Sequence, residues 1–165
     1  MRISKKRFLL GGYLLAAILL LTFTLAASPA FAATTRQAGM PVVATTTSST
    51  GVSAVNAVGE VIVCDSDLAF GIASGHAYAE GLVLCTEDVE EINITASLFR
   101  NGNVADQDSD ITLGEKHAGA IATRNCTSSS HHWQGYLTGT ITFPEGYVPP
   151  TASIFLFTPV LSEHC

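Results

Sequence analysis

The chain has 165 residues, of which 47% are hydrophobic and only 13% charged, and its formal net charge is −6 at pH 7. Four of the eight basic residues lie within the first seven positions, so the rest of the chain carries four basic against 14 acidic residues, a net charge of −10. So acidic a surface repels phosphate backbones and anionic lipid, which argues against a nucleic-acid-binding protein.

The first 32 residues have the three parts of a secretory signal peptide. A basic patch at 2–7 precedes an uncharged apolar run over 8–27, and Ala30-Phe31-Ala32 supplies the small residues that signal peptidase requires. We predict cleavage after Ala32 and a secreted, extracellular protein that either stays free or associates with the cell surface. An uncleaved anchor is the alternative, since the apolar run of 20 residues is just long enough to span a bilayer. No later stretch predicts a membrane span.

A Thr/Ser-rich stretch over 33–53 follows, with T-T-T-S-S-T at 45–50. It has few side chains that could form a core, and this composition is typical of a disordered linker. The folded domain is therefore expected over 54–165, which is long enough for one core.

Alternating hydrophobicity predicts antiparallel strands through most of this domain, and no segment of useful length has helical periodicity. The clearest strand lies within 89–104 and is followed at once by Asn101-Gly102, the preferred pair for a tight hairpin turn. In the strand at 133–143, Trp133 shares a face with Leu137 and Ile141, which favours a place in the core.

Two further segments complete the predicted architecture. Residues 65–75 contain two glycines and indicate a loop, whereas 153–158 is apolar on both sides and predicts a strand at the centre of a sheet. Six to eight strands separated by turn signals favour an antiparallel immunoglobulin-like sandwich, with a small barrel as the alternative.

Four cysteines, all in the exported part, predict two disulfides. The sequential pairing, Cys64–Cys85 with Cys126–Cys165, is favoured because each bond closes a short loop between neighbouring strands. The nested pairing, Cys64–Cys165 with Cys85–Cys126, is the rival. No C-x-x-C spacing indicates a zinc site.

Several short runs carry a resemblance: L-F-R-N-G at 98–102, W-Q-G-Y at 133–136, P-E-G-Y-V-P-P at 144–150, and cysteines at 126 and 165. With these features the chain resembles a group of uncharacterised small secreted proteins of Gram-positive-type bacteria, over residues 55–165. The resemblance implies secretion and a disulfide-linked β domain, and it implies no site residues.

The sharpest candidate metal site is the run of alternating carboxylates Asp106, Asp108 and Asp110. Such oxygens can converge on Ca²⁺, but the glycine and the glutamate of a helix–loop–helix calcium loop are replaced by Ile111 and His117. We favour a solvated edge strand whose charges oppose aggregation, and we predict no cofactor.

The other candidates are histidines and aromatic residues. His131 and His132 are adjacent, so on a strand they point to opposite faces and do not easily share a metal. Ser74 and His76 lie close together on a Gly-rich segment, but no established catalytic motif surrounds them. A further candidate is an aromatic platform for sugar rings, formed by Trp133, Tyr136, Tyr147 and Tyr78.

The sequence therefore favours a non-catalytic protein with a binding or envelope-structural role, whose partner is an extracellular protein or a glycan. Its contact surfaces would be the sheet edges and the end loops at 65–75, 127–132 and 145–150. A secreted hydrolase that uses the histidines is one alternative. A carbohydrate-binding module and a secreted protein inhibitor are the others.

Overall fold

A computed structural model describes residues 42–127 and 129–163, and these residues form an all-β, antiparallel and nearly barrel-like sheet. Its eight strands are β1 (Val42–Asn56), β2 (Val61–Ala73), β3 (His76–Arg100), β4 (Asn103–Asn125), β5 (His131–Thr142), β6 (Tyr147–Val148), β7 (Thr151–Phe157) and β8 (Leu161–Glu163). The predicted signal peptide lies outside the described residues, as does the linker up to residue 41. Within the described ranges, no helix has the length and apolar character needed to cross a membrane.

The predicted linker is wrong for residues 42–53, because they form most of β1. This strand pairs with β2 from Val42↔Ala73 to Val55↔Val61. Threonine is β-branched and favours extended backbone, so a Thr/Ser run can complete a sheet when a partner strand satisfies its backbone. The partner is β2, which also occupies most of the predicted loop at 65–75 and leaves only a tight turn at Ser74-Gly75.

The long hairpin of β3 and β4 organises the sheet. The first part of β3 pairs with β2 from Cys64↔Cys85 to Ala73↔His76, and its second part pairs with β5 from Glu91↔Thr142 to Arg100↔Trp133. β4 follows β3 along its other edge throughout, with a register shift between Leu84 and Val89. The hairpin therefore contributes to two layers, one with β1 and β2 and the other with β5 and β7. Its turn is Asn101-Gly102, as predicted, with positive φ at both residues.

The core lies between these layers, where the inward side chains of both layers are buried. Leu68 and Phe70 come from β2, Ile92 and Ile94 from β3, and Trp133 from β5, and all of them are fully buried. The prediction that Trp133 fills the core is confirmed. A Cys64–Cys85 disulfide joins directly paired positions of β2 and β3, which confirms this bond and excludes the nested alternative. Cys126 is also disulfide-bonded, and its predicted partner, Cys165, lies outside the described residues.

Close contact between the layers depends on glycine. A Cβ atom at Gly81 in β3 would overlap Cδ1 of Leu137 in β5, and one at Gly135 would lie 3.2 Å from Cβ of Phe70. These positions carry no side chain because the facing layer already occupies the space. The alternation of Gly with large residues along β5, which the sequence shows, is therefore a packing pattern.

The predicted central position of the strand at 153–158 is wrong. β7 pairs with β5 alone and ends the order of strands, so among the described residues it is an edge strand. Its inward side chains, Ile154 and Leu156, are buried, whereas Phe155 and Phe157 remain 62% and 54% exposed. Sequence periodicity cannot separate an apolar strand covered on both faces from one that presents an apolar face to solvent.

The Gly81–Leu137 contact gives a test of how the layers pack. Gly81→Ala should destabilise the fold by about 1–3 kcal/mol through overpacking, and Leu137→Ala by about 2–5 kcal/mol through a cavity. In the double variant the new methyl group enters the space that the leucine leaves. The double variant should therefore lose less free energy of unfolding than the two single variants together, by at least about 0.5 kcal/mol, as measured by denaturant unfolding. Additive losses would mean that these two positions do not face each other.

Candidate functional site

Asp106, Asp108 and Asp110 act as acceptors for an otherwise open strand edge. Their carboxylates accept hydrogen bonds from the backbone N–H groups of Thr123, Ile121 and Gly119 at 2.7, 2.9 and 2.9 Å. Donors and acceptors lie in the two halves of β4, so the three carboxylates join the edge of one layer to the edge of the other.

Small residues make this approach possible. Ala118, Ala120 and Ala122 are the buried, inward residues of the donor half. The aspartates are inward too, because they pair with the buried Leu98, Ala96 and Ile94 of β3. Inward-pointing charges on an edge strand are a known means of preventing edge-to-edge association. The edge position was predicted, whereas the hydrogen bonds to a distant part of the same strand were not.

The calcium alternative receives no geometric support from these carboxylates. Each one directs an oxygen to a different N–H group along the edge, and no group of three or more His, Cys, Asp or Glu side chains in the described part of the chain could hold a metal ion. The predicted lack of a cofactor stays a prediction.

Removing one of these acceptors gives a second test. Asp108→Ala deletes the acceptor for Ile121 N–H and should lower the free energy of unfolding by about 1 kcal/mol, since water replaces the bond only in part at this exposed position. Asp108→Asn keeps a carbonyl oxygen that can accept this bond, so it should lower the free energy of unfolding by less.

Asp67→Ala is the matched control, because Asp67 is an exposed aspartate on β2 without a hydrogen bond in the described structure. It should change the free energy of unfolding by less than about 0.5 kcal/mol. Equal losses in the Asp67 and Asp108 variants would mean that net charge, and not the edge contact, sets the stability.

His131 and His132 point to different partners, as their adjacency predicts. His132 Nδ1 lies 2.7 Å from Ser162 Oγ on β8. His131 Nε2 lies 2.6 Å from Thr127 Oγ1 and 2.9 Å from Ser129 Oγ, and its Nδ1 lies 3.1 Å from Asn101 Nδ2. A serine, a histidine and an asparagine thus lie in one chain of hydrogen bonds.

The orientation of Asn101 decides what this chain can do. Its Oδ1 accepts the backbone N–H of His132 at 2.9 Å, so its Nδ2 faces His131 and donates to Nδ1. Neutral His131 then carries its proton on Nε2 and donates it to a hydroxyl. A general base needs the opposite tautomer, with a free Nε2 lone pair facing the serine. The arrangement therefore connects Thr127 and Ser129 to the hairpin turn through His131 and does not activate Ser129.

Asn101→Asp tests this tautomer. Aspartate tolerates the positive φ at this position and keeps the oxygen that accepts His132 N–H, but its second oxygen can only accept. In the parent protein the neutral ring should be the Nε2–H tautomer, and in the variant the Nδ1–H tautomer. Long-range ¹H–¹⁵N correlation spectra of the histidine ring distinguish the two. A parent ring protonated on Nδ1 would restore Ser129 as a candidate nucleophile.

The Ser74–His76 pair shows no catalytic geometry. Ser74 lies in the β2–β3 turn with φ 51°, His76 begins β3, and no hydrogen bond joins the two side chains within the described structure. Both residues are exposed.

An aromatic strip lies on the outward face of β3, β5 and β7. It consists of Phe99, Tyr136, Phe155 and Phe157. The Phe99 and Tyr136 ring centroids are 4.7 Å apart, and Tyr136 lies 6.2 Å from both Phe155 and Phe157. The rings are tilted by 31–55° and do not form one plane.

The predicted sugar platform is only partly present in this strip. Tyr136 belongs to it, whereas Trp133 is buried and Tyr147 lies on β6 beside an open cleft lined by Glu60, Glu87 and Asp88. Tyr78 lies on β3 over Gly71 of β2. The three phenylalanines were missed. The spacing of Phe155 and Phe157 places both on one face of a strand and could have revealed them, had that face been recognised as the outer one.

Uncharged hydrogen-bonding side chains surround the strip. Gln134 donates to Thr158 O at 2.7 Å and accepts the Tyr136 hydroxyl proton at 2.9 Å. On the neighbouring strands Gln107 donates to Ser97 Oγ, and Thr95 bonds Ser109. The aromatic strip therefore lies in a charge-free region of a strongly acidic protein.

Comparisons of the chain with protein-family models, with curated proteins and with solved structures give no significant match.

Proposed function

We propose that this chain is a secreted or cell-surface protein with an immunoglobulin-like sandwich, and that it acts by binding and not by catalysis. The observation that carries the proposal is the aromatic strip, in which Tyr136 contacts three phenylalanines and two of these are more than half exposed. Contiguous aromatic side chains of this kind are typical of the energetic centre of protein interfaces.

The neighbouring strand edge suggests the form of the partner. β7 forms a backbone ladder with β5 alone among the described strands, and β1 lies near it without a ladder. An extended segment of a protein partner can add to such an edge through backbone hydrogen bonds and place alternate side chains on the aromatic strip. The acidic chain would repel an acidic segment, so the proposed partner segment is apolar with neutral or basic flanks.

A glycan partner fits this surface less well. Sugar rings stack on flat aromatic faces, and the smallest tilt between neighbouring rings of the strip is 31°. The uncharged Gln, Thr and Ser side chains nearby do favour a neutral ligand, so the test includes oligosaccharides as competing ligands.

The hydrolase alternative also receives less support. The tautomer of His131 opposes general-base action toward Ser129. The inhibitor alternative would need a loop that projects from the domain, whereas Thr127 and Ser129 are tied through His131 to Asn101 of the hairpin turn.

Substitution of the strip tests the proposal. The double variant Phe155→Ser, Phe157→Ser should lose binding to extended apolar peptides with basic flanks by at least about tenfold, since a central aromatic contact is worth about 2 kcal/mol or more. Binding is measured by fluorescence anisotropy with a panel of labelled eight-residue peptides, and by calorimetry with oligomers of glucose and N-acetylglucosamine.

Leu113→Ser is the matched control, because Leu113 is 69% exposed on β4 and lies outside the strip. It should keep the parent affinity. Equal loss in both variants would indicate nonspecific hydrophobic binding. Oligosaccharide binding that depends on the strip would replace the protein partner with a glycan, and an absence of all binding would contradict the proposed role.

A further inference from the structure

Two arginines line one groove at the end of the two layers where the β3–β4 hairpin turns. Arg100 and Arg124 share it with Thr123, Asn125, Cys126 and Thr127, and its volume is about 390 Å³. Arg100 ends β3 and Arg124 comes one residue before the end of β4. The aspartate contacts position this end, because the bond from Thr123 N–H to Asp106 fixes the strand next to Arg124.

No carboxylate among the described residues neutralises either arginine. Among the described residues the single ion pair within 4.0 Å is His117–Glu115, although 14 carboxylates are present and only Arg100, Arg124 and Lys116 carry permanent positive charge. Two of these three cations therefore face the same groove without a carboxylate partner. An uncompensated pair of guanidinium groups is a ready acceptor for an oxyanion, because each group presents parallel N–H donors.

Arg100 is also held in place by the core. Its guanidinium carbon lies 5.9 Å from the centroid of the buried Trp133 ring, and His131 contacts the same ring edge-on at 6.0 Å. A cation above an aromatic face is attracted by the ring and loses conformational freedom before any ligand binds. Arg100 is therefore pre-organised, whereas Arg124 is exposed and free to close on a bound group.

We propose that this groove binds a single oxyanion group, a carboxylate or a phosphate, between Arg100 and Arg124. The rest of the molecule limits the ligand to one such group, because a polyanion would extend over a surface that carries 14 acidic residues and would be repelled there. The site is separate from the aromatic strip and does not depend on the proposed binding of a peptide.

The single tryptophan provides the readout, since Trp133 lies in contact with Arg100. The chain is expressed with its own N-terminal segment and purified in the form that the cells produce. Inorganic phosphate, acetate and inorganic polyphosphate are titrated separately at constant ionic strength against chloride. Phosphate or acetate should change the tryptophan fluorescence saturably and shift the amide signals of residues 100 and 123–127, and polyphosphate should bind no more tightly per phosphate group.

Variants separate the site from general charge effects. Arg124→Gln should weaken oxyanion binding by about tenfold, in keeping with the loss of a charge-assisted hydrogen bond. Lys116→Gln removes the same charge outside the groove and should change the affinity by less than about twofold. Arg100→Lys keeps the positive charge but loses the planar guanidinium group, so it should weaken oxyanion binding. It should disturb the fold less than Arg100→Gln does.

Each result decides the proposal. Saturation with phosphate but not acetate identifies a phosphate site, and the reverse identifies a carboxylate site. Linear responses to both anions, equal weakening by Arg124→Gln and Lys116→Gln, or amide shifts outside the groove would overturn it. The Phe155→Ser, Phe157→Ser variant should keep full oxyanion binding, so failure of the peptide proposal leaves this one testable.

Discussion

The open backbone of β4 is the constraint on which the architecture depends. A strand at a sheet edge exposes a row of N–H groups that must find acceptors or remain available to other chains. In this protein the donor half of β4 uses the carboxylates of Asp106, Asp108 and Asp110, which belong to its other half. Because these contacts connect the two layers at one side, the β3–β4 hairpin can bend from one layer to the other while the sheet stays almost closed.

This closure explains the distribution of residue sizes. Alanines face the core where the two halves of β4 approach each other, glycines occur where β3 and β5 face each other, and Trp133 is the largest fully buried side chain. A core can interdigitate in this way only if small and large side chains alternate across facing layers. Trp133 also contacts Arg100 of the proposed oxyanion groove and His131.

The two candidate binding surfaces differ in chemistry and in position. The aromatic strip lies on the outward face of β3, β5 and β7 and is free of charge, whereas the arginine groove lies at the hairpin end of a molecule that is otherwise acidic. One surface suits an apolar segment, and the other suits a small anion. A protein with both could recognise two features of one partner, because neither surface uses residues of the other.

The sequence by itself predicted the antiparallel β class, the Asn101-Gly102 turn and the core position of Trp133, and it favoured the Cys64–Cys85 pairing over the nested one, because each of these follows from local periodicity, turn chemistry or a short loop. Tertiary structure decided the rest. The Thr/Ser run forms a strand because β2 satisfies its backbone, and β7 is an edge strand because it pairs with β5 alone among the described strands. The aspartate bonds, the contacts of Tyr136 with the three phenylalanines and the pair of arginines in the groove join residues that are 9–37 positions apart in the chain. No local pattern specifies such contacts, since they depend on how the long hairpin bends.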